Sequence, residues 1–227
     1  MKKAAFFVEG QTELIFVRKL LEEIANPLNI AFEEEKFHAK SYVALSSDPI
    51  NDQAYFALIV DCGSDGAVVS AMLDRYDGLV AANYELIVGL RDLYPLTHAD
   101  LLDLRTGIGS VLPPGPPLVD VVIALTEVEA WFMQENTHFH RIDEACTKAA
   151  ILAAIGYDID LDLAENLPHP AKSLNDCYKI AKKSYNKSKK KVSRTIKSLD
   201  FAHLYLDRRA RLASFNEFAL KIEDFLT

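Results

Sequence analysis

Glu9 and Glu13 stand four residues apart in VEGQTE, and they belong to a wider pattern of carboxylates at the ends of apolar runs. AAFFVEG closes on Glu9, YFALIVDCGSDG on Asp61, YELIVGLRDLYP on Asp92, and VDVVIALTEVEAW on the pair Glu127 and Glu129. If these runs are parallel strands of an open α/β sheet, their carboxyl ends share one edge, where such sheets bind ligands. Carboxylates crowded on one edge repel one another and raise each other's pKa. A divalent cation relieves that repulsion, and an oxygen-only donor set suits magnesium, manganese or calcium. Gly10 permits a tight strand-to-helix turn, so Glu9 at a strand end and Glu13 in a first helical turn can reach one point. The candidate metal ligands are therefore Glu9, Glu13, Asp92, Glu127 and Glu129.

Other chemistry-bearing residues carry plainer readings. Asp61 and Asp65 in DCGSDG lack the spacing and lysine of a phosphate-binding P-loop, and a turn held by aspartate side chains explains them better. Cys62, Cys146 and Cys177 are widely spaced and odd in number, with no CxxC pair, so neither a zinc site nor a disulfide framework is indicated. Cys62 reads as a small strand-end residue, since no neighbouring His would activate it. His138 and His140 form no metal motif, and Trp131 and Phe132 read as core. Arg91 alternates with Asp92 and points to the opposite face.

The elements that must position these groups follow from apolar periodicity. Strands are expected at 4–8, within 36–46, at 55–61, at 84–91 and at 119–125. Helices are expected from Thr12 to about Ala25, stopped by Asn26-Pro27, from Ala67 to Tyr76 after a turn at Gly63 and Gly66, and from an N-cap at Thr97 to about Leu104. A short helix carries Trp131. Alternating strands and helices imply a mainly parallel, Rossmann-like sheet with right-handed crossovers. Beyond about residue 138 the pattern is helical, over 141–155, 171–183, 192–199 and 214–226. The expected organisation is an α/β domain over 1–137 with a helical appendage over 138–227 packed on it.

The chain has 227 residues, half of them hydrophobic, which allows a sizeable core. No apolar run approaches the ~20 residues that span a bilayer. The start, MKKAAFFVEG, is cut short by Glu9 and reads as a strand rather than a signal peptide, so a cytoplasmic protein without membrane attachment is expected. A net charge of -8 argues against a generic nucleic-acid coat. The charge is uneven, however: Glu33–Glu35 form an acidic run and 182–197 a basic one. Lys187, Lys189, Lys190, Lys191 and Arg194 are the candidate contacts to a nucleic-acid backbone, DNA or RNA; a solvated lysine helix is the plain alternative. Tyr185 is the one aromatic in that stretch, too few for a stacking platform.

With these residues in view, VEGQTE followed by a strand ending in RDLY resembles a TOPRIM domain. ALTEVEAWF, HPAKSL at 169–174, the lysine-rich stretch and SFNEFALKIEDFL are similar to a group of small TOPRIM-like, OLD-type nuclease proteins of bacterial anti-phage operons. The resemblance implies a magnesium- or manganese-dependent nuclease. By that resemblance Glu9 takes the place of the lead glutamate, a metal ligand or general acid/base, Glu13 of the second acid, and Asp92 of the first aspartate of the DxD motif, which makes Glu9 and Asp92 the implied catalytic residues. It also implies an ABC-type or AAA-type ATPase partner. Tyr94 stands where DxD has its second aspartate, so a second metal is lost or Glu127 and Glu129 replace the missing ligand. The alternative is a non-catalytic TOPRIM-like subunit that binds or regulates a partner ATPase. The oligomeric state, a homodimer included, is open.

Overall fold

The computed structural model describes residues 1–25 and 29–227. They form two compact units: Met1–Asp92, Ala99–Ile123 and Glu217–Thr227 make the first, Leu93–His98 and Ala124–Asn216 the second. The expected boundary at 137/138 falls inside the second unit, and the last residues of the chain return to the first.

The first unit carries β1 (Lys2–Val8), α1 (Gln11–Ala25), β2 (Ile30–His38), β3 (Ser41–Ser47), β4 (Tyr55–Asp61), α2 (Asp65–Ala81), β5 (Leu86–Asp92), α3 (Leu101–Gly109) and β6, which spans Leu118–Ala124. The strands lie in the order β3-β2-β4-β1-β5-β6. β1 runs parallel to β4 and β5, β2 runs parallel to β4, and β3 is antiparallel to β2. The result is the expected mainly parallel sheet flanked by helices.

Strand alternation sorts the apolar residues between two faces. Phe7, Leu58, Val60 and Ile87 pack with Val68, Met72 and Leu79 of α2. On the opposite face Phe6 meets Phe218 edge-on, with ring centroids 6.1 Å apart, and Arg18 of α1 lies 4.6 Å over the Phe32 ring. Each fully buried Phe contributes roughly 1.5–3 kcal/mol of transfer free energy. Gly89 must be small: a Cβ there would lie 2.7 Å from Met72 Sδ and 2.9 Å from Val68 Cγ1.

Several local expectations change. The single strand expected within 36–46 is a hairpin, β2 and β3, turned by Ala39 and Lys40 at φ 49° and 66°. The acidic run lies inside β2, where distant cations neutralise two of its three glutamates. Arg18 reaches Glu34 at 3.1 Å, and Arg75 pairs with Glu35. Helix α2 begins at Asp65, so Gly66 is helical and Gly63, at φ 83°, makes the turn alone. A 3-10 turn at His98–Asp100 precedes α3, which continues to Gly109. The expected stop at Asn26-Pro27 lies outside the described residues.

The second unit holds α4 (Glu129–Gln134), α5 (His138–Ile142), α6 (Lys148–Ile155), α7 (Pro170–Lys179), α8 (Lys189–Ser198) and the start of α9, which spans Ala213–Leu226. Its core includes Trp131, edge-on to Phe215 at 5.3 Å, with Nε1 donating to Ser214 Oγ at 2.9 Å. The one helix expected over 141–155 is two, because Thr147 caps α6 by accepting from Ala150 N–H at 3.2 Å. A π-helical turn at His203–Arg208 has no counterpart in the apolar periodicity. No helix among the described residues is long and apolar enough to cross a membrane.

Candidate functional site

The sheet edge is built by its topology. Helix α1 follows β1 and leads towards β2, whereas α2 follows β4 and leads to β5 on the far side of β1. The two helices cover opposite faces, so their paths diverge between β1 and β4, the switch point of the sheet, where such folds bind ligands. Glu9 ends β1 there. The Asp92 N–H, at the end of neighbouring β5, donates to Glu9 Oε2 at 3.2 Å. Phe7 lies beside Gly89 on the α2 face, so alternation puts Arg91 on that face and Asp92 on the α1 face. Arg91 accordingly pairs with Asp65 at 3.0 Å. Glu13, in the first turn of α1, shares the α1 face with Asp92. Glu13 is 2% exposed and Asp92 3%.

Asp61 ends β4 on the same edge but serves the turn. Its Oδ2 pairs with Lys36 Nζ at 3.0 Å and its Oδ1 accepts the Gly63 N–H at 2.9 Å. Cys62 is buried, and burial together with the Asp61 carboxylate pushes its thiol up to about 12, which removes it as a nucleophile. Cys146 and Cys177 are likewise buried and free.

The all-oxygen donors of Glu9 and Asp92 are of the type a hard cation takes. Among the described residues no group of three or more His, Cys, Asp and Glu is arranged to hold a metal ion. Magnesium is commonly held by one or two carboxylates, its other positions being filled by water and substrate phosphate.

The remaining sequence candidates belong to the second unit. Glu127 Oε2 accepts the Ala171 N–H at 2.9 Å, in the first turn of α7, so this carboxylate complements a helix N-terminus. Thr126, just before it, holds φ 67°, a left-handed conformation that costs a β-branched residue on the order of 1–3 kcal/mol. Glu129 is fully buried, accepts the Tyr185 hydroxyl at 2.7 Å through Oε1, and leaves Oε2 without a hydrogen-bond partner. Burial raises its pKa; the Lys187 ammonium draws it down, the Glu127 carboxylate pushes it up, and the Tyr185 hydroxyl lowers it. Tyr185 is thus a buried partner of Glu129, a role hidden in the sequence by its lysine-rich surroundings.

The basic stretch is ordered in α8. Lys187, Lys189 and Lys190 are exposed and Lys191 half-buried. Arg194 differs: it donates to Ser184 O at 2.5 Å and its guanidinium lies 5.4 Å over the Tyr178 ring, which commits it to the protein's own packing. His138, also buried, contacts Glu135 O through Nδ1 at 2.5 Å, a structural role.

Comparison with curated proteins and with solved structures returns no match. Residues 8–222, which include every carboxylate described above, match the family described as a domain of unknown function, DUF4276, and the chain belongs to that family.

Proposed function

We propose that the protein is a divalent-cation-dependent phosphodiester hydrolase acting on nucleic acid, with Glu9 and Asp92 as ligands of a magnesium or manganese ion and Glu13 beside them. The observation that carries this reading is the joining of two adjacent strand ends by the Asp92 N–H to Glu9 hydrogen bond, 3.2 Å long, at the switch edge of a parallel sheet. A cation bound there supplies Lewis-acid polarisation of a phosphoryl oxygen and a water acidified for attack. The chain's own part is to fix one Glu9 oxygen through that hydrogen bond and to hold Asp92 on the α1 face with Glu13. Exposed Lys187, Lys189 and Lys190 attract the phosphate backbone in a salt-dependent way. The chemistry agrees with that of the TOPRIM domains that VEGQTE and RDLY resemble.

A second reading, a non-catalytic subunit for a partner ATPase, draws on Tyr94, which stands where the DxD motif that RDLY resembles has its second aspartate. One assay separates the two. End-labelled DNA and RNA, single-stranded and duplex, are incubated with the protein and Mg²⁺ or Mn²⁺. The hydrolase reading expects cleavage that a chelator stops and that Glu9→Gln and Asp92→Asn slow by on the order of 100-fold or more. Cleavage that survives both substitutions would overturn the assignment, and no cleavage of any of the four substrates would favour the subunit.

A further inference from the structure

Within the second unit, residues 93–98 form one wall of an open cleft of about 320 Å³, lined by Tyr94, Pro95, Leu96, Thr126, Pro168 and His169. That wall is pinned by backbone hydrogen bonds from Leu93 N to Ala124 O and from Tyr94 N to Thr126 O, each 2.9 Å. The Tyr94 and His169 rings meet edge-on with centroids 5.4 Å apart. Tyr94 is 45% exposed, Leu96 is 41% exposed, and Pro95, Pro168 and His169 are exposed as well. Thr97, His98 and Asn166 complete the lining with polar groups.

We propose that this cleft seats one unstacked nucleobase of a single-stranded nucleic acid; the proposal rests on the hydrolase reading and names the form of its substrate. Three observations choose that occupant. The volume is at the small end of ligand sites, room for one ring system rather than a large cofactor. The surface is apolar and aromatic with an amide on its rim, which matches a base's π-face and its hydrogen-bonding edge. The same unit also presents exposed Lys189 and Lys190, complementary to the phosphates of a bound strand. The cleft is contiguous in sequence with the site: Tyr94 lies two residues after Asp92. Thr126 stands in a left-handed conformation on the wall, where strain of this kind accompanies ligand-holding segments.

The test compares a fluorescent thymidine oligonucleotide with a wholly abasic strand of the same length, by anisotropy, in the presence of a chelator. Wild type should bind the base-bearing strand about tenfold more tightly, the size of one base–aromatic stacking interaction. Tyr94→Ala and His169→Ala should each abolish most of that difference. Tyr94→Phe should keep it, and thermal melts should show all three variants folded. Equal binding of the two strands by wild type, or a preference that survives both alanine variants, would overturn the proposal. A base preference without cleavage leaves the cleft standing and removes the hydrolase. Cleavage without base preference does the reverse.

Discussion

Replacing Glu129 by Gln tests how a fully buried carboxyl is held. Its ordinary pKa is 4.5, and burial raises it in the folded protein. Below the unfolded value both states carry the proton, and the group's contribution to stability is fully present. As pH rises, the unfolded chain releases its proton first, and the contribution is lost through the folded pKa. Gln has no proton to release and keeps an oxygen for the Tyr185 hydroxyl, which donates to Glu129 at 2.7 Å. It also places an amide where Oε2 has no partner, a cost the protonated acid shares. The substitution is therefore near neutral at about pH 4 and increasingly stabilising above it, by about 1.4 kcal/mol for each tenfold excess of proton affinity in the folded state. Urea unfolding of both proteins from roughly pH 4 to pH 8 measures this directly. If the variant instead loses ground as pH rises, Glu129 is ionised against Lys187, and the argument from burial fails. The outcome also bears on Glu129 as a ligand candidate read from the sequence, because a protonated carboxyl is a poor cation ligand.

Three further outcomes check the packing around the site. Gly89→Ala should cost about 1–3 kcal/mol through collision with Met72 and Val68, lowering Tm by roughly 2–4 °C per kcal/mol; an unchanged melt would contradict the close approach of α2 to β5. Glu127→Ala should destabilise by about 1 kcal/mol by removing the carboxylate from the first turn of α7, a loss readable in chemical denaturation. The thiols of Cys62, Cys146 and Cys177 are buried with pKa values raised by desolvation, so a chromogenic disulfide reagent near pH 8 should react with them only after unfolding.

Elements with self-contained signals are legible in the chain. β4 is bounded at Tyr55–Asp61 as its apolar run suggests, and β1, β5 and β6 lie within two residues of expectation. The two faces of β5 also follow from alternation, which separates Arg91 from Asp92. What the chain hides depends on distant partners. β2 contains three consecutive glutamates, a poor strand composition, and becomes acceptable through Arg18 of α1 and Arg75 of α2, far away in sequence. The break between α5 and α6 is written in Thr147, a good N-cap, but the apolar pattern runs past it. The unit boundary is illegible for a related reason: α9 reads as one amphipathic helix, while its residues from Glu217 onward join the first unit, where Phe218 packs on Phe6. Among the carboxylates, position at strand ends was readable, but use was not. Asp61 and Glu127 look like Glu9 in the sequence and differ in their partners: Asp61 takes the Lys36 ammonium and the Gly63 N–H, Glu127 the Ala171 N–H, and Glu9 the Asp92 N–H.

The most direct measurement is the electron paramagnetic resonance signal of Mn²⁺ titrated with the protein and a non-cleavable phosphorothioate oligonucleotide. Wild type should bind the ion more tightly with the oligonucleotide present than without it, since two carboxylates leave coordination positions for substrate phosphate. Asp92→Asn and Glu9→Gln, with unchanged thermal melts, should lose that binding. Equal Mn²⁺ binding by wild type and both variants would contradict the assignment of the β1–β5 edge as the cation site.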